Sequence, residues 1–280
     1  MRLDAHVHFW RYNEAEYEWI GDSMAAIRRD FLPPDWREVA GTLGFDGLIA
    51  VQARQTFEET QWLLELADEH PQVAGVVGWA DLRSPALDDQ LDILADHTKL
   101  VGLRHIVQSE PDPNYMLDDL FLRGIARVGH HDLVYDILIV ARQLPAAIEM
   151  VGHFPRQRFV LNHIAKPDIR AGEMEPWASN LHRLAEHEHV WCKLSGMATE
   201  SDWAGWTPDD LHAYLDVVLD AFGHERLMIG SDWPVCLVAG SYARVMGVVM
   251  AWMHTLPEDA QRGILGENCA RAYGVAASST

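Results

Sequence analysis

The sequence contains few cysteines, and the three that it has, Cys192, Cys236 and Cys269, lie far apart in the chain. Because they lack the spacing of a disulfide framework or a zinc ribbon, both are disfavoured. Unpaired cysteines suit a reducing compartment, so we expect a cytoplasmic protein. The N-terminus also lacks the apolar core of a secretory signal, since Asp4 and His6 interrupt it early.

Long apolar runs and positive charge are scarce as well. The longest apolar run, LVYDILIV, is broken by Asp136 and is far too short to cross a bilayer. Lysine and arginine total 22 against 42 aspartates and glutamates, which gives a formal net charge of -20 with neutral histidines. Nucleic acids and anionic membranes attract basic surfaces, so this balance argues against both as partners. The sequence does not indicate an oligomeric state.

The chain does have enough apolar material for a large core, with 49% hydrophobic and 23% charged residues. Short, nearly continuous apolar runs recur along it, as is typical of parallel strands that are covered by helices. We predict eight strands, over residues 3–9, 47–53, 73–79, 101–106, 133–140, 158–163, 190–194 and 226–230.

The segments between the predicted strands carry helix signals. Segment 57–70 has an apolar stripe at helical spacing. Ser84-Pro85 and Thr207-Pro208 each combine an N-cap residue with proline at the first helical position. The order is therefore strand then helix, repeated eight times.

This order predicts the α/β class and a single-domain (β/α)8 TIM barrel over residues 1–275, with a short tail at 276–280. The competing fold is an open doubly wound sheet. It is disfavoured because no glycine-rich phosphate loop follows the first strand.

Polar residues mark the ends of three predicted strands. His6 and His8 are two apart in strand one, so they should project to the same face. Imidazole nitrogen suits zinc and similar divalent metals. His163 ends strand six and Asp232 follows strand eight, which are positions where a barrel places catalytic groups.

The H-x-H of strand one, His163 and the G-S-D-W-P after strand eight resemble the amidohydrolase superfamily. More narrowly, DAHVHFW, YDILIVARQLP, CKLSGMATESDW and RLMIGSDWPVC resemble the amidohydrolase-2 group, which contains L-fuconolactonase, L-rhamnonolactonase and other sugar lactonases. The similarity covers nearly the whole chain. It implies a hydrolase of carbohydrate catabolism that opens a small sugar (aldono) lactone to the sugar acid.

The resemblance also bears on the metal. Two-metal members of the superfamily usually carry a lysine on strand four that is carbamylated, whereas this sequence has Arg104 in that neighbourhood and no histidine on strand five. A single divalent metal, zinc being the most suitable, could be held by His6, His8, His163 and Asp232. Some lactonases of the group resemble this chain but do not depend on metal, so a metal-independent enzyme stays open.

Lactone hydrolysis needs an activated water, a stabilised oxyanion and a proton for the leaving alkoxide. We expect Asp232 to act as the general base on water, with or without a metal that lowers the pKa of that water. His163 would orient the water or polarise the carbonyl. Arg104 is a candidate for binding or polarising a substrate oxygen, because guanidinium is a fixed-charge fork of donors.

Further side chains at or near strand ends are candidates for substrate binding. Indole rings can pack against the apolar face of a sugar. A charged group inside an apolar strand needs a partner or lines the pocket. Lys166, after His163, is another candidate. The predicted substrate-binding residues are Trp19, Arg54, Trp79, Tyr135, Asp136, Lys193 and Trp233.

Three alternatives stay open at this point. A metal-dependent decarboxylase of the same superfamily would need a firmly held metal and basic groups for a carboxylate. A lactonase for a dicarboxylic substrate of the muconolactone or pyrone type would need extra arginines, and the strand ends supply few. A non-catalytic sugar-binding barrel is disfavoured, because an aspartate beside three histidines serves poorly as a mere contact.

Overall fold

The computed structural model describes residues 1–94 and 96–276 of the chain. Each strand is followed by a helical segment that returns the chain to the start of the next strand. The strands are β1 (Leu3–Val7), β2 (Gly47–Val51), β3 (Val73–Gly78), β4 (Leu100–His105), β5 (Val134–Ile137), β6 (Phe159–Leu161), β7 (Val190–Leu194) and β8 (Leu227–Ile229). The helices are α1 (Pro33–Ala40), α2 (Phe57–Glu69), α3 (Leu87–Leu94), α4 (Asp119–His130), α5 (Leu144–His153), α6 (Trp177–Ala185), α7 (Pro208–Phe222), α8 (Tyr242–Met253), α9 (Glu258–Arg262) and α10 (Asn268–Tyr273).

The strands form one parallel sheet in which each strand pairs with the next one in the sequence. The first and last strands meet beyond their carboxyl ends. There His8 N–H donates to Trp233 O at 2.7 Å, and Asp232 N–H donates to His6 O at 2.9 Å. The sheet is therefore a nearly closed barrel, and the prediction of a (β/α)8 TIM barrel is confirmed. Closure also brings the residues after β1 directly beside those after β8.

All eight predicted strands are present, most of them shorter than predicted at their ends. Helix α7 begins at Pro208 with Thr207 as its N-cap, as the sequence indicated. The predicted start of α3 at Pro85 is wrong, because the helix begins at Leu87. The reason is local: Ser84 Oγ accepts a hydrogen bond from the backbone N–H of residue 86 at 3.1 Å and closes a turn before the helix.

The core has two layers, which explains the near-continuous apolar strands. One layer fills the barrel and is rich in β-branched side chains, which pack well on a pleated surface. The larger layer lies between the sheet and the helices. Cys269 and Tyr273 of α10 pack into the inner layer. The strand residues of that layer include Leu3, Ile49, Val51, Val77, Val101, Val134, Val160 and Met228.

No helix among the described residues is long and apolar enough to cross a membrane. The three cysteines are free and buried. Of the predicted tail at 276–280, residues 277–280 lie outside the described part of the chain, so the tail stays a prediction.

Candidate active site

His6 and His8 lie two residues apart at the carboxyl end of β1, where the strand is irregular. The pairing register with β2 shifts between Asp4 and Val7, so β1 carries one more residue than its neighbour there. A bulge of this kind re-aims a side chain. His6 Nε2 lies 3.1 Å from His8 Nε2, and both rings are buried.

His163 follows β6 and begins an unusual turn. All four residues of 163–166 have positive φ angles, between 46° and 62°. Left-handed backbone costs roughly 1–2 kcal/mol for each non-glycine residue, so tertiary contacts must hold the turn in place. Trp177 Nε1–H donates to Ile164 O at 2.7 Å, and His163 Nδ1 lies 2.9 Å from Ser195 Oγ. The first contact holds the backbone of the turn, and the second holds the imidazole at its Nδ1 atom.

Gly196, just after β7, packs directly against the same imidazole. Its φ of 66° lies in the left-handed region that favours glycine. A Cβ at this position would lie 2.5 Å from His163 Nδ1, which no real contact allows. Glycine is therefore required for the ring to keep its place.

Asp232 follows β8, and the buried carboxylate of Asp4 binds the backbone of the residue before it. Asp4 Oδ1 accepts hydrogen bonds from the backbone N–H of Ser231 at 2.8 Å and of His6 at 3.2 Å. Asp4 Oδ2 accepts from the Tyr242 hydroxyl at 3.1 Å. Asp4 thus links the first strand, the last strand and α8, and it fixes the backbone on either side of the site.

The structure brings Asp232 and the three histidines together in one buried group. Asp232 Oδ1 lies 3.3 Å from His8 Nε2 and 3.8 Å from Nε2 of both His6 and His163. Burial alone would raise the pKa of Asp232. Positive charge beside the carboxylate, such as that of a protonated His163 or His8, outweighs burial and lowers that pKa to about 2.

The histidines favour their neutral form, because burial is the largest effect on each pKa and lowers all three. His8 Nδ1 lies 2.7 Å from Val51 O. A carbonyl oxygen only accepts, so Nδ1 carries the proton and Nε2 presents a lone pair. That lone pair faces Asp232 Oδ1 without a proton between them, an arrangement that a cation would stabilise.

The donor set therefore fits a metal ion. The ligand atoms of His6, His8 and Asp232 lie within 4.8 Å of one another and form a potential metal site. His163 supplies a third imidazole beside the same carboxylate oxygen. Three nitrogens and one oxygen are ligands that zinc accepts.

Arg104 of β4 lies against this group and is heavily constrained. Its NH2 donates to the backbone and side-chain oxygens of Gln52, and its NH1 lies 3.1 Å from both Asn162 Oδ1 and His6 Nε2. Burial lowers the pKa of Arg104 to about 10, so it remains a cation at neutral pH. It lines the cavity as a fixed positive charge.

Asp136 and Lys193 were predicted to bind substrate, and the structure pairs them with each other away from the cavity. Lys193 Nζ lies 2.7 Å from Asp136 Oδ2, and both side chains are fully buried. Asp136 also accepts from the Tyr273 hydroxyl at 2.7 Å and from Asn162 Nδ2 at 2.8 Å. The two side chains form a buried ion pair inside the barrel, and neither residue lines the cavity.

Two of the predicted aromatic contacts also lie elsewhere. Tyr135 faces the helices, where its ring packs edge-on against Phe121 and Phe159. Trp233 is buried against Phe31 in the same outer layer. In a strand, adjacent residues alternate between faces, so Tyr135 points away from the barrel interior that its neighbour occupies.

Arg54 and Trp79 are likewise engaged away from the cavity. Arg54 NH1 lies 2.8 Å from Glu16 Oε2, and its Nε lies 3.8 Å from Glu59 Oε1. Trp79 Nε1–H points to His105 Nδ1 at 3.4 Å. Neither residue lines the cavity, so the structure does not bring these two predicted residues to the site.

A cavity of about 420 Å³ opens above the buried group, within the range of small-molecule sites. Trp19 does line it, with 43% of its surface exposed. The cavity floor contains His8, Arg104, His163 and Asp232, its apolar lining includes Trp19, Met24, Leu138, Trp203, Val235 and Val238, and its polar lining includes Gln108, Ser109, Lys166, Thr199 and Glu200.

Several residues of the site were not predicted from the sequence. Asp4 is a carboxylate in an apolar strand, which is the same signal that singled out Asp136. Ser195 and Gly196 follow β7, and their position after a barrel strand was a usable signal. Glu200 ends a short 3-10 helix at Ala198–Glu200, and nothing in the sequence indicated that it faces the cavity.

Comparison with known proteins agrees with this geometry. The family model described as Amidohydrolase matches residues 3–275. The chain belongs to the amidohydrolase family. The resemblance expected from the sequence motifs is thereby confirmed.

The amidohydrolase has close relatives of named activity. It is 42% identical, over 98% of this chain and 96% of the relative, to L-fucono-1,5-lactonase of Burkholderia multivorans. It is 37% identical, over the same shares of the two chains, to L-fucono-1,5-lactonase of Burkholderia ambifaria. A crystal structure of a Burkholderia multivorans amidohydrolase with bound zinc superposes with a TM-score of 0.95 at 41% identity, covering 99% of this chain and all of that one.

Proposed function

We propose that this amidohydrolase is a lactonase that opens a small, neutral sugar lactone to its sugar acid, in carbohydrate catabolism. The observation that carries the proposal is the 42% identity to an L-fucono-1,5-lactonase over nearly the full length of both chains. The cavity supports it, because the buried carboxylate of Asp232 and the imidazoles of His8 and His163 lie at its floor, with His6 next to the same carboxylate. By the same relationship the preferred substrate is a 6-deoxyaldono-1,5-lactone of the L-fucono type.

In this proposal Asp232 is the general base. Its carboxylate takes a proton from water as the water oxygen bonds to the lactone carbonyl carbon. The ring C–O bond then breaks, and the proton held by Asp232 passes to the leaving alkoxide. The products are one carboxylic acid group and one hydroxyl group, so no further reactant is needed.

The neighbouring groups hold the reactants. His163 and His8 present ring nitrogens to the same carboxylate oxygen, where they can orient the attacking water. Arg104 contributes a fixed positive charge beside His6, which stabilises negative charge that develops on the carbonyl oxygen. We assign Asp232, His163 and Arg104 as the catalytic residues.

A divalent metal, zinc being the most suitable, would be held by His6, His8, His163 and Asp232. When bound, such an ion lowers the pKa of water and polarises a carbonyl. Asp232 would still collect the proton, and Arg104 would still supply its charge beside His6 Nε2. Hydrolysis without metal remains compatible with the same residues, since a lactone is an activated ester.

The charge balance of the cavity disfavours the two alternative reactions. Among the described residues that line it, the cations Arg104 and Lys166 are balanced by Asp232 and Glu200. Lys166 Nζ lies 3.0 Å from Glu200 Oε1, and Arg104 is engaged by Gln52 and Asn162. A dicarboxylic lactone, or an acid that is to be decarboxylated, would need a cationic side chain for its additional carboxylate. Both cations that line this cavity are already paired with other groups.

The acidic balance of the whole chain favours small molecules over nucleic acids or membranes as partners. A cytoplasmic location stays a prediction from the cysteine pattern.

The direct test is a screen of aldonolactones with a pH indicator. The enzyme is first analysed for metal, then assayed with and without a chelator, and the spontaneous hydrolysis rate is subtracted. We expect the fastest turnover on L-fucono-1,5-lactone and related neutral lactones. The proposal would be contradicted if the enzyme opened no lactone faster than the spontaneous rate. It would also be contradicted if the enzyme instead decarboxylated an aromatic or unsaturated acid.

A further inference from the structure

The ion pair of Lys166 and Glu200 lies in the wall of the cavity, and the chemistry proposed at Asp232 does not use it. Lys166 Nζ lies 3.0 Å from Glu200 Oε1, with the two side chains 17% and 26% exposed. Both residues line the cavity. Their charged atoms are thus accessible to a ligand without being free in solvent.

The pair keeps spare hydrogen-bonding capacity. An ammonium group carries three donors and a carboxylate about four acceptor sites. Among the described residues, Glu200 is the one side-chain partner found for Lys166 Nζ. Two donors and several acceptor sites are therefore left for a ligand. A hydroxyl group both donates and accepts, so it can bridge such a pair, whereas a carboxylate would be repelled by Glu200.

The backbone beneath Lys166 is strained. Lys166 has φ 46° and ends the left-handed turn of residues 163–166. Glycine or asparagine would adopt this conformation at lower cost than lysine does. Strain of this kind concentrates at functional sites, where the surrounding structure holds it in place. Lys166 and His163 belong to the same left-handed turn, so the backbone conformation that places one of them also places the other.

The rest of the cavity wall complements the pair. Trp19 and Trp203 supply apolar surface. A sugar ring has C–H faces that pack on indole and a rim of hydroxyls that need hydrogen bonds. A cavity with apolar walls and one donor–acceptor pair matches both properties.

We propose that Lys166 and Glu200 bind adjacent hydroxyl groups of the substrate ring and so determine specificity for polyhydroxylated lactones over unsubstituted ones. This inference rests on the proposed lactonase function. Lys166 donates to the hydroxyl oxygens and Glu200 accepts from the hydroxyl hydrogens, while the ester carbonyl lies toward Asp232. Both residues act as specificity determinants, and the proton transfers remain with Asp232.

The test compares Lys166→Met, Glu200→Gln and the double variant with wild type on two six-membered lactones, L-fucono-1,5-lactone and δ-valerolactone, which lacks hydroxyls. Hydrogen bonds to charged groups imply a fall in kcat/KM of roughly 10- to 100-fold on the hydroxylated lactone, mainly through KM. The value for δ-valerolactone should hold within about threefold, the size of a small context effect on an uninvolved contact. Lys166→Arg, which keeps the donors, should restore most of the loss.

The matched control is Glu267→Gln, which removes the carboxylate of an exposed ion pair with Arg262 that does not line the cavity. It should behave as wild type on both lactones. Melting curves of every variant show whether the fold is retained. Equal losses on both lactones, or no loss on the hydroxylated one, would overturn the inference.

A binding measurement separates this inference from the proposed function. 1,5-Anhydro-L-fucitol has the hydroxylated ring but no ester, so calorimetry reports recognition without hydrolysis. Wild type and Glu267→Gln should bind it equally, and Lys166→Met and Glu200→Gln should bind it roughly tenfold or more weakly. Failure of the wild type to bind this ring, or equal binding by all variants, counts against the inference, whereas lack of any lactone turnover counts against the proposed function.

Discussion

The backbone N–H of Ser231 donates to Asp4 Oδ1 at 2.8 Å, which joins the residue before the proposed general base to the first strand of the barrel. The same oxygen accepts from the N–H of His6 at 3.2 Å. One buried carboxylate therefore sets the positions of an imidazole and of Asp232 relative to each other. Burial raises the pKa of Asp4, and its hydrogen bonds oppose that rise.

Asp4→Asn should weaken both stability and catalysis. An amide keeps one acceptor oxygen but places an N–H group toward other donors, which leaves buried partners unsatisfied. We expect a loss of about 1–3 kcal/mol in the free energy of unfolding and a fall in kcat. The control is Asp46→Asn, whose exposed carboxylate accepts from the N–H of Arg2 at 2.7 Å. If kcat is unchanged in Asp4→Asn, Asp4 has no part in positioning the site.

The sequence allowed the barrel and the grouping of His6, His8, His163 and Asp232 to be predicted, because strand order determines where strand ends meet. It did not reveal the bulge in β1 or the left-handed turn at 163–166. Both depend on tertiary contacts rather than on local propensity. They decide how the imidazoles are aimed.

The placement of Tyr135 and Asp136 outside the cavity could not be predicted, for a different reason. Strand β5 has only four residues, all buried on both faces, so the pattern of apolar residues cannot tell inside from outside. The sequence also does not show how far a strand residue lies from the cavity. Asp136 points into the barrel but lies below the cavity. For Arg54 and Trp233, side-chain partners distant in the sequence determine the orientation.

Gly196→Ala should displace His163. The new Cβ would overlap the imidazole, and a positive φ adds strain for alanine. We expect kcat to fall by at least about tenfold, as for other misplaced catalytic groups, and the melting temperature to drop. Gly172→Ala is the matched control, since Gly172 also has a positive φ but no atom lies within 4 Å of an added Cβ. Equal effects of the two substitutions on kcat would show that the contact with His163 is irrelevant.

Zinc should bind once per chain and depend on His8. After removal of metal, added zinc at about 100 times its Kd should stabilise the wild type by about 3 kcal/mol in a melting experiment. His8→Ala should lose most of this gain, because one of the imidazole donors beside Asp232 is removed. His182→Ala, a half-exposed histidine on α6, should keep it. Zinc stabilisation that survives in His8→Ala would place the ion elsewhere.

Glu59 should make stability depend on pH. Its buried carboxylate accepts from the N–H groups of Ala53 and Arg54. Arg54 Nε lies at 3.8 Å, and Tyr17 and Arg104 also interact with the carboxylate. Burial raises its pKa from 4.5 to about 7 against the opposing effect of these hydrogen bonds and cations. The folded protein therefore holds this proton over a range in which the unfolded chain has lost it.

The sign follows from that difference. The contribution of Glu59 is most favourable below pH 4.5 and is lost as the pH rises toward 7, by about 3 kcal/mol in total. Denaturant titrations of wild type and Glu59→Gln at pH 5 and pH 8 should show that the difference between the two proteins changes with pH in this direction. Glu58→Gln, which changes the exposed neighbour, should show no such change. A pH-independent difference for Glu59→Gln would contradict the raised pKa.

The central claim is that Asp232 activates water for attack on a lactone. The most direct measurement is the steady-state kinetics of Asp232→Asn on L-fucono-1,5-lactone, beside Asp209→Asn as an exposed control on α7. We predict that kcat falls by a factor of hundreds or more, as expected for loss of a general base, while the melting curve stays cooperative and Asp209→Asn behaves as wild type. A kcat for Asp232→Asn close to that of the wild type would contradict the account.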